Sequence, residues 1–154
     1  MKIGLDVMGG DFAPDATIDG AILARQELNN DQIVLIGDED LIHSFLEKKQ
    51  HSAGIFEIMH AGQVVDMAEK PLKALTGKPD SSLSVGFRML KGRKINAFCS
   101  AGNSGAIMVG SMYNVGIMPA VIRTTTIVNT PNEKGRDSII LVIVTNPDIK
   151  ADVL

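Results

Sequence analysis

Two short glycine-bearing stretches hold the residue types from which a site for an oxyanion could be built. The first is Ser100-Ala-Gly-Asn-Ser-Gly105, lying between an apolar run and a helical pattern. Ser100, Gly102, Asn103, Ser104 and Gly105 offer backbone donors, two hydroxyls and an amide beside a helix N-terminus, a set that could hold a phosphate or an acyl carbonyl oxygen. Ordinary capping by Asn103 or Ser104 would use the same residues. The second stretch is Asp6-Val-Met-Gly-Gly-Asp11, two carboxylates around a diglycine. Asp6 and Asp11 could orient a substrate, position a metal or move a proton, with Gly9 and Gly10 admitting close contact. Alternatively, Asp11 forms a turn or caps the next helix and the glycines permit the bend. The pattern is not the dinucleotide fingerprint, which needs three spaced glycines.

The remaining reactive side chains are scattered. His60 at a strand end could be a base or a hydrogen-bonded structural residue, while His43 on a helix and His51 on a polar stretch build no triad. Cys99 reads as inert within a buried strand, without a cationic neighbour in sequence. The basic run from Arg88 to Lys94 fits a solvated helix end or an acidic partner, and Arg123 after a proline turn could clamp an anion.

Those residues need a frame, and the apolar pattern supplies an alternating one. Strands are predicted at 2–7, 32–36 and 54–60, with helices at 15–29, capped by Asp15, and through Leu41, Ile42, Phe45 and Leu46. A long polar connection runs from 61 to 80. Asp80 or Ser81 can cap a helix over 82–91, with Leu83, Phe87 and Leu90 as its buried stripe. The stretch 95–112 gives a buried strand, turn and helix. Two further strands, 122–128 and 138–144, flank a hairpin-like segment at 130–135. Such alternation predicts an α/β fold whose mainly parallel sheet is covered by helices on both faces, with ligands gathering at the carboxyl ends of the strands. The loops at 8–14, 61–67 and 101–105 all fall at that edge.

The bulk numbers narrow the possibilities. With 154 residues, 45% of them hydrophobic, the chain can bury one core, so a single α/β domain over 1–154 is the expectation. Fifteen basic against 18 acidic residues leave a net charge of -3, so no global field favours nucleic acid or an anionic membrane. One cysteine excludes an intrachain disulfide framework and a multi-cysteine zinc site, which suits a cytoplasmic protein. The start, with Asp6 and two glycines by position 10, lacks the long apolar region of a signal peptide. The chain stops at Asp152-Val-Leu154, straight after a strand-like run, which predicts an incomplete domain.

Taken together, the motifs resemble a family: the acyl-acyl-carrier-protein:phosphate acyltransferases of bacterial phospholipid synthesis, the PlsX type. The resemblance rests on Leu5-Asp-Val-Met-Gly-Gly-Asp-Phe-Ala-Pro14, Asp80-Ser-Ser-Leu-Ser-Val-Gly86 and Ser100-Ala-Gly-Asn-Ser-Gly-Ala106, and extends through Met118-Pro-Ala-Val-Ile-Arg123. Members are longer, so the chain resembles an N-terminal half. The resemblance implies a three-layer α/β/α sandwich like those of isocitrate dehydrogenases and phosphotransacetylases. It also implies a homodimer, peripheral contact with the inner face of the membrane, and no cofactor or metal. The implied reaction joins inorganic phosphate to the acyl group of acyl-acyl-carrier protein. Asn103, Ser104 and Gly105 would hold phosphate or the thioester oxygen, with Asn103, Ser104 and Asp11 the catalytic set. Asp6, Gly9, Gly10 and Asp11 would form the facing wall, Asp80, Ser81 and Ser82 would close it, and Arg123 would add positive charge. The chain departs from the family pattern at Val142 and Val144, where an acidic residue and a glycine are usual, and at Ala120 and Thr124. An inactive or binding-only fragment and a phosphotransacetylase-like enzyme of the same fold are the alternative readings.

Overall fold

The computed structural model describes residues 1–28, 30–119, 127–131, 135 and 137–141. The chain divides into two compact units, Met1–Val115 and Gly116–Leu154. In the first unit, strands β1 (Lys2–Asp6), β2 (Gln32–Gly37), β3 (Glu57–His60) and β4 (Ala97–Cys99) form one sheet in the order β3-β2-β1-β4. Every pairing in it is parallel. The helices are α1 (Asp15–Glu27), α2 (Glu39–Lys48), α3 (Pro71–Gly77), α4 (Ser82–Lys91) and α5 (Ser104–Asn114).

The burial of β2 explains why helices cover both faces. Five of its residues, Ile33 through Gly37, are buried, so no face of the strand is left for water. Successive side chains of a strand point to opposite sides. Ile33 and Leu35 accordingly join Ile18, Ile22, Ile42 and Leu46 of α1 and α2, while Val34 and Ile36 join Val85 and Met89 of α4. A third cluster, Val65, Ala74, Leu83, Phe87 and Ala106, packs α3, α4 and α5 together. Phe98 of β4 links the second and third clusters, meeting Phe87 edge-on at 5.2 Å between ring centroids. Gly86 makes room for it, since a Cβ there would stand 2.2 Å from the Phe98 ring.

Local chemistry sets the helix boundaries. The Asp38 carboxylate accepts from the Leu41 N–H (3.0 Å) at the start of α2, and the Ser81 hydroxyl accepts from the Ser84 N–H (3.3 Å) at the start of α4. Each such cap stabilises its helix by about 1 kcal/mol. Asp15, expected as a cap, lies instead in the first turn of α1, with Pro14 at the cap position and no side-chain cap bond. Its carboxylate pairs with Lys49 at 2.7 Å, as does that of Asp19, tying α1 to the end of α2. The hydrogen bond from Lys49 holds the Asp15 carboxyl below its ordinary value.

Three further expectations are corrected. The third strand begins at Glu57, because Ala53–Ile55 form a 3-10 turn. The connection 61–80 contains α3, opened by Pro71 at its first turn. Cys99, expected within a buried strand, is exposed. Among the described residues β4 pairs only with β1 and forms the sheet's edge.

The second unit contains an antiparallel hairpin of β5 (Ile127–Pro131) and β6 (Asp137–Leu141), with Thr130 opposite Ser138. This agrees with a hairpin around 130–135. The predicted strand portions at 122–126 and 142–144 lie outside the described residues.

Candidate functional site

Because β1 and β4 are parallel neighbours with Leu5 opposite Cys99, the next residues, Asp6 and Ser100, come level at the carboxyl edge of the sheet. The Ser100 hydroxyl donates to Asp6 Oδ2 at 2.7 Å and accepts from the Gly102 N–H at 3.0 Å. The other carboxylate oxygen accepts from the Met8 N–H at 3.0 Å. Asp6 is 1% exposed, so its carboxyl oxygens are satisfied by these donors rather than by bulk water. The two stretches singled out from the sequence are thereby joined through a single carboxylate.

Glycine is required for that junction. A Cβ on Gly9 would stand 2.7 Å from Asp6 Oδ2, 2.8 Å from the Gly102 nitrogen and 2.9 Å from Ser100 Oγ. One on Gly102 would approach Gly9 Cα to 3.3 Å, and Gly10, at φ +111°, lies against Ala101. Thr17 closes the loop from the far side, its hydroxyl within 2.7 Å of the Val7 carbonyl and 2.8 Å of that of Pro14.

Asn103 is the cap of α5. Its Oδ1 accepts from the Ala106 N–H at 3.0 Å, while its Nδ2 lies 3.1 Å from each of the carbonyls of Asp66, Met67 and Glu69. Two amide hydrogens therefore serve three main-chain oxygens, and the side chain fixes the segment after β3 against the start of α5. Among the described residues, the Ser104 and Gly105 N–H groups have no hydrogen-bond partner. Ser104 is exposed. Gly105 sits under Pro71, whose Cγ would lie 2.6 Å from a Cβ there, so the first turns of α3 and α5 meet.

The other expected site residues fall elsewhere or stand free. Asp11 is exposed and its carboxylate has no partner among the described residues. Ser81 and Ser82 are buried at the start of α4. The Ser81 hydroxyl donates to the Lys78 carbonyl, and the Ser82 N–H donates to the Gln63 carbonyl at 3.2 Å. Asp80 is exposed, 3.6 Å from Arg88. This turn thus bonds to Gln63, Lys78 and α4 rather than to the Asp6–Ser100 junction. Arg123, Val142 and Val144 lie outside the described residues. His60 Nδ1 accepts from the Glu39 N–H at 3.3 Å, a structural role at the start of α2.

Sequence reasoning missed the clasp below α5. Lys78 bonds to Glu69 and to the Val64 carbonyl (2.7 Å), and its hydrogen bond holds the Glu69 carboxyl below the ordinary value. The signal was present: proline opening and glycine closing a short apolar-spaced run mark a helix such as α3, with Lys78 just past its end. An apolar groove of about 500 Å³ between α3, α4 and α5, lined in part by Leu72, Leu75, Val109 and Tyr113, includes none of the expected site residues.

Parallel strands sandwiched by helices, with loops converging at the carboxyl edge, define an α/β sandwich. The EutD phosphotransacetylase from Staphylococcus aureus shares this fold, with a TM-score of 0.53 and 15% identity over 90% of this chain and 44% of that one. The family is narrower. Residues 1–154 match the model of the fatty acid synthesis protein family, and the chain belongs to it. A phosphate acyltransferase of Acetivibrio thermocellus is 39% identical over 91% of this chain and 41% of its own length. One of Fusobacterium nucleatum is 36% identical over 100% of this chain and 46% of its own length. The chain spans less than half the length of these relatives and corresponds to their N-terminal part. Among the described residues no helix is long and apolar enough to cross a membrane.

Proposed function

We propose that the full-length protein is a phosphate acyltransferase that moves a fatty acyl group from acyl-acyl-carrier protein to inorganic phosphate. A phosphate oxygen attacks the thioester carbonyl carbon, and the resulting tetrahedral intermediate collapses with cleavage of the C–S bond. Acyl phosphate leaves, and the carrier's thiolate takes up a proton. The acyl phosphate then supplies an acylation step of phospholipid synthesis.

The observation that carries this reading is the open pair of amides at Ser104 and Gly105, at the start of a helix whose turn is braced by the Asp6 loop. A helix N-terminus carries roughly half a positive charge, and fixed N–H groups there stabilise an oxyanion without reorganisation. Asn103 serves by positioning: its cap goes to Ala106 and leaves the two preceding amides without a partner. The Ser104 hydroxyl adds a third donor, and Asp11 is the free carboxylate available to take a proton from phosphate. Asp6, Ser100, Gly9, Gly10 and Gly102 hold the wall. Much of the rate enhancement then comes from placing two reactants in register. The same reading includes a cytoplasmic homodimer with peripheral membrane contact.

The test is to incubate the full-length protein with palmitoyl-carrier protein and phosphate and to trap acyl phosphate with hydroxylamine. Phosphate-dependent hydroxamate is the expected result. Thioester loss independent of phosphate, or no product, overturns the proposal, and a strong preference for acyl-coenzyme A favours the phosphotransacetylase-like alternative.

A further inference from the structure

Two large apolar side chains stand in water beside the turn that carries the open amides. Phe12 is 80% exposed and Met67 54% exposed. Single exposed apolar residues are ordinary on protein surfaces. These two differ in how they are held. Gly10, two residues before Phe12, packs on Ala101, and Gly9 packs on Gly102. The Met67 carbonyl is bonded by the side chain of Asn103. Three consecutive turn residues, 101, 102 and 103, thus fix the backbones that bear Phe12 and Met67.

The Phe12 loop is also closed internally. The Ala13 N–H donates to the Gly10 carbonyl (3.2 Å), and the Ala16 N–H donates to the Phe12 carbonyl (3.0 Å) at the entry to α1. Phe12 is therefore presented by a braced turn, and little backbone freedom is lost when something packs on it.

The geometry points to Phe12 and Met67 as the apolar rim of the site, over which the acyl chain beyond its fourth carbon leaves while its thioester carbonyl lies at the Ser104 and Gly105 amides. This inference rests on the acyl-transfer reading above. A reacting carbonyl must enter beside the 100–105 turn, and its hydrocarbon tail must leave past residues flanking that turn. The exposed basic residues nearby follow Met67 in the chain, Lys70 at the cap position of α3 and Lys73 within it. The rim sets preference for long chains over short ones, because contact with hydrocarbon increases with the number of methylenes that reach it.

The experiment compares palmitoyl- and butyryl-carrier protein as donors to phosphate, using the full-length protein, Phe12→Ala, Met67→Ala and the conservative Phe12→Leu. The ratio of kcat/KM for palmitoyl over butyryl donor is expected to fall roughly tenfold in Phe12→Ala, about the effect of losing part of an aromatic contact. Met67→Ala should shift it in the same direction and Phe12→Leu should restore most of it. An unaltered ratio in both alanine variants overturns the proposal, as does an equal loss with both donors. Lost sedimentation with anionic phospholipid vesicles in Phe12→Ala, with an unaltered donor ratio, assigns the residue to a lipid surface and likewise overturns it. If the unaltered protein makes no acyl phosphate from either donor, the acyl-transfer reading itself has failed, a result distinguishable from an unaltered ratio.

Discussion

Replacing Ser104 by proline removes one N–H from the site while leaving the helix intact. Position 104 is the first residue of α5, where proline is favoured because its missing N–H is not used by the helix. The residue before a proline must be extended, and Asn103 already sits at φ -58°, ψ 107°. The cap from Asn103 goes to the Ala106 N–H, two residues beyond the substitution, and survives. Stability should thus change by no more than about 1 kcal/mol, the scale of a helix-end adjustment. Deleting one preorganised donor to an oxyanion costs roughly 2.7–4 kcal/mol in the transition state, or about 100- to 1000-fold in kcat. Ser104→Ala separates the hydroxyl from the amide and should lose far less. The assay is hydroxylamine-trapped acyl phosphate over a phosphate titration, with urea unfolding to verify the fold. A Ser104→Pro protein that folds normally and keeps kcat and phosphate KM within twofold would refute the assignment of this amide to the reacting oxygen.

Asn103→Asp retains the cap acceptor but removes the amide donors to residues 66–69, and should cost about 2 kcal/mol in urea unfolding, from lost hydrogen bonds and a new negative charge near carbonyl oxygens. Gly9→Ala forces a methyl among three polar atoms at 2.7–2.9 Å and should destabilise by about 1–3 kcal/mol, with loss of acyl phosphate formation. The Glu69 carboxyl is held below its ordinary value of 4.5 by Lys78, so its stabilising contribution is fully present above that pH and is lost as pH falls through the depressed folded value. Acid titration of unfolding should therefore show a shallower acid limb in Lys78→Met, and an unchanged limb would remove the pair from the account.

The alternation of strands and helices was legible because each strand carries its own apolar run and each long helix its own stripe. The short helix α3 was marked only by its opening proline and closing glycine, because its seven residues are too few to establish a period. Exposure at Cys99 depends on which strand lies at the edge, a property of strand order that local pattern does not encode. In the candidate site, the Asp6 and Ser100 loops were readable as partners at one sheet edge. Their direct bond depends on the β1–β4 register, which places residues far apart in sequence side by side. The Asp80–Ser82 motif has the composition of a ligand loop, yet Ser81 and Ser82 are drawn into the start of α4, because orphan N–H groups at a helix start compete for nearby hydroxyls. Asn103 was legible as either a cap or an anion holder, and its side chain acts as the cap while the Ser104 and Gly105 amides are left without a partner.

The grip of Asn103 on carbonyls alone has an evolutionary consequence. Its amide reads the path of residues 66–69 without reading their side chains, so Asp66, Met67 and Ala68 can be exchanged one by one while the ribbon stays where it is, whereas Glu69 also braces the segment through Lys78 and the Asp66 N–H. Position and chemistry are thereby largely uncoupled along this border of the site: one side chain's contacts set the place, and most of the border's own side chains are left open to variation. A lineage could retune what passes that border by substitutions there without having to rebuild the turn that holds the oxyanion.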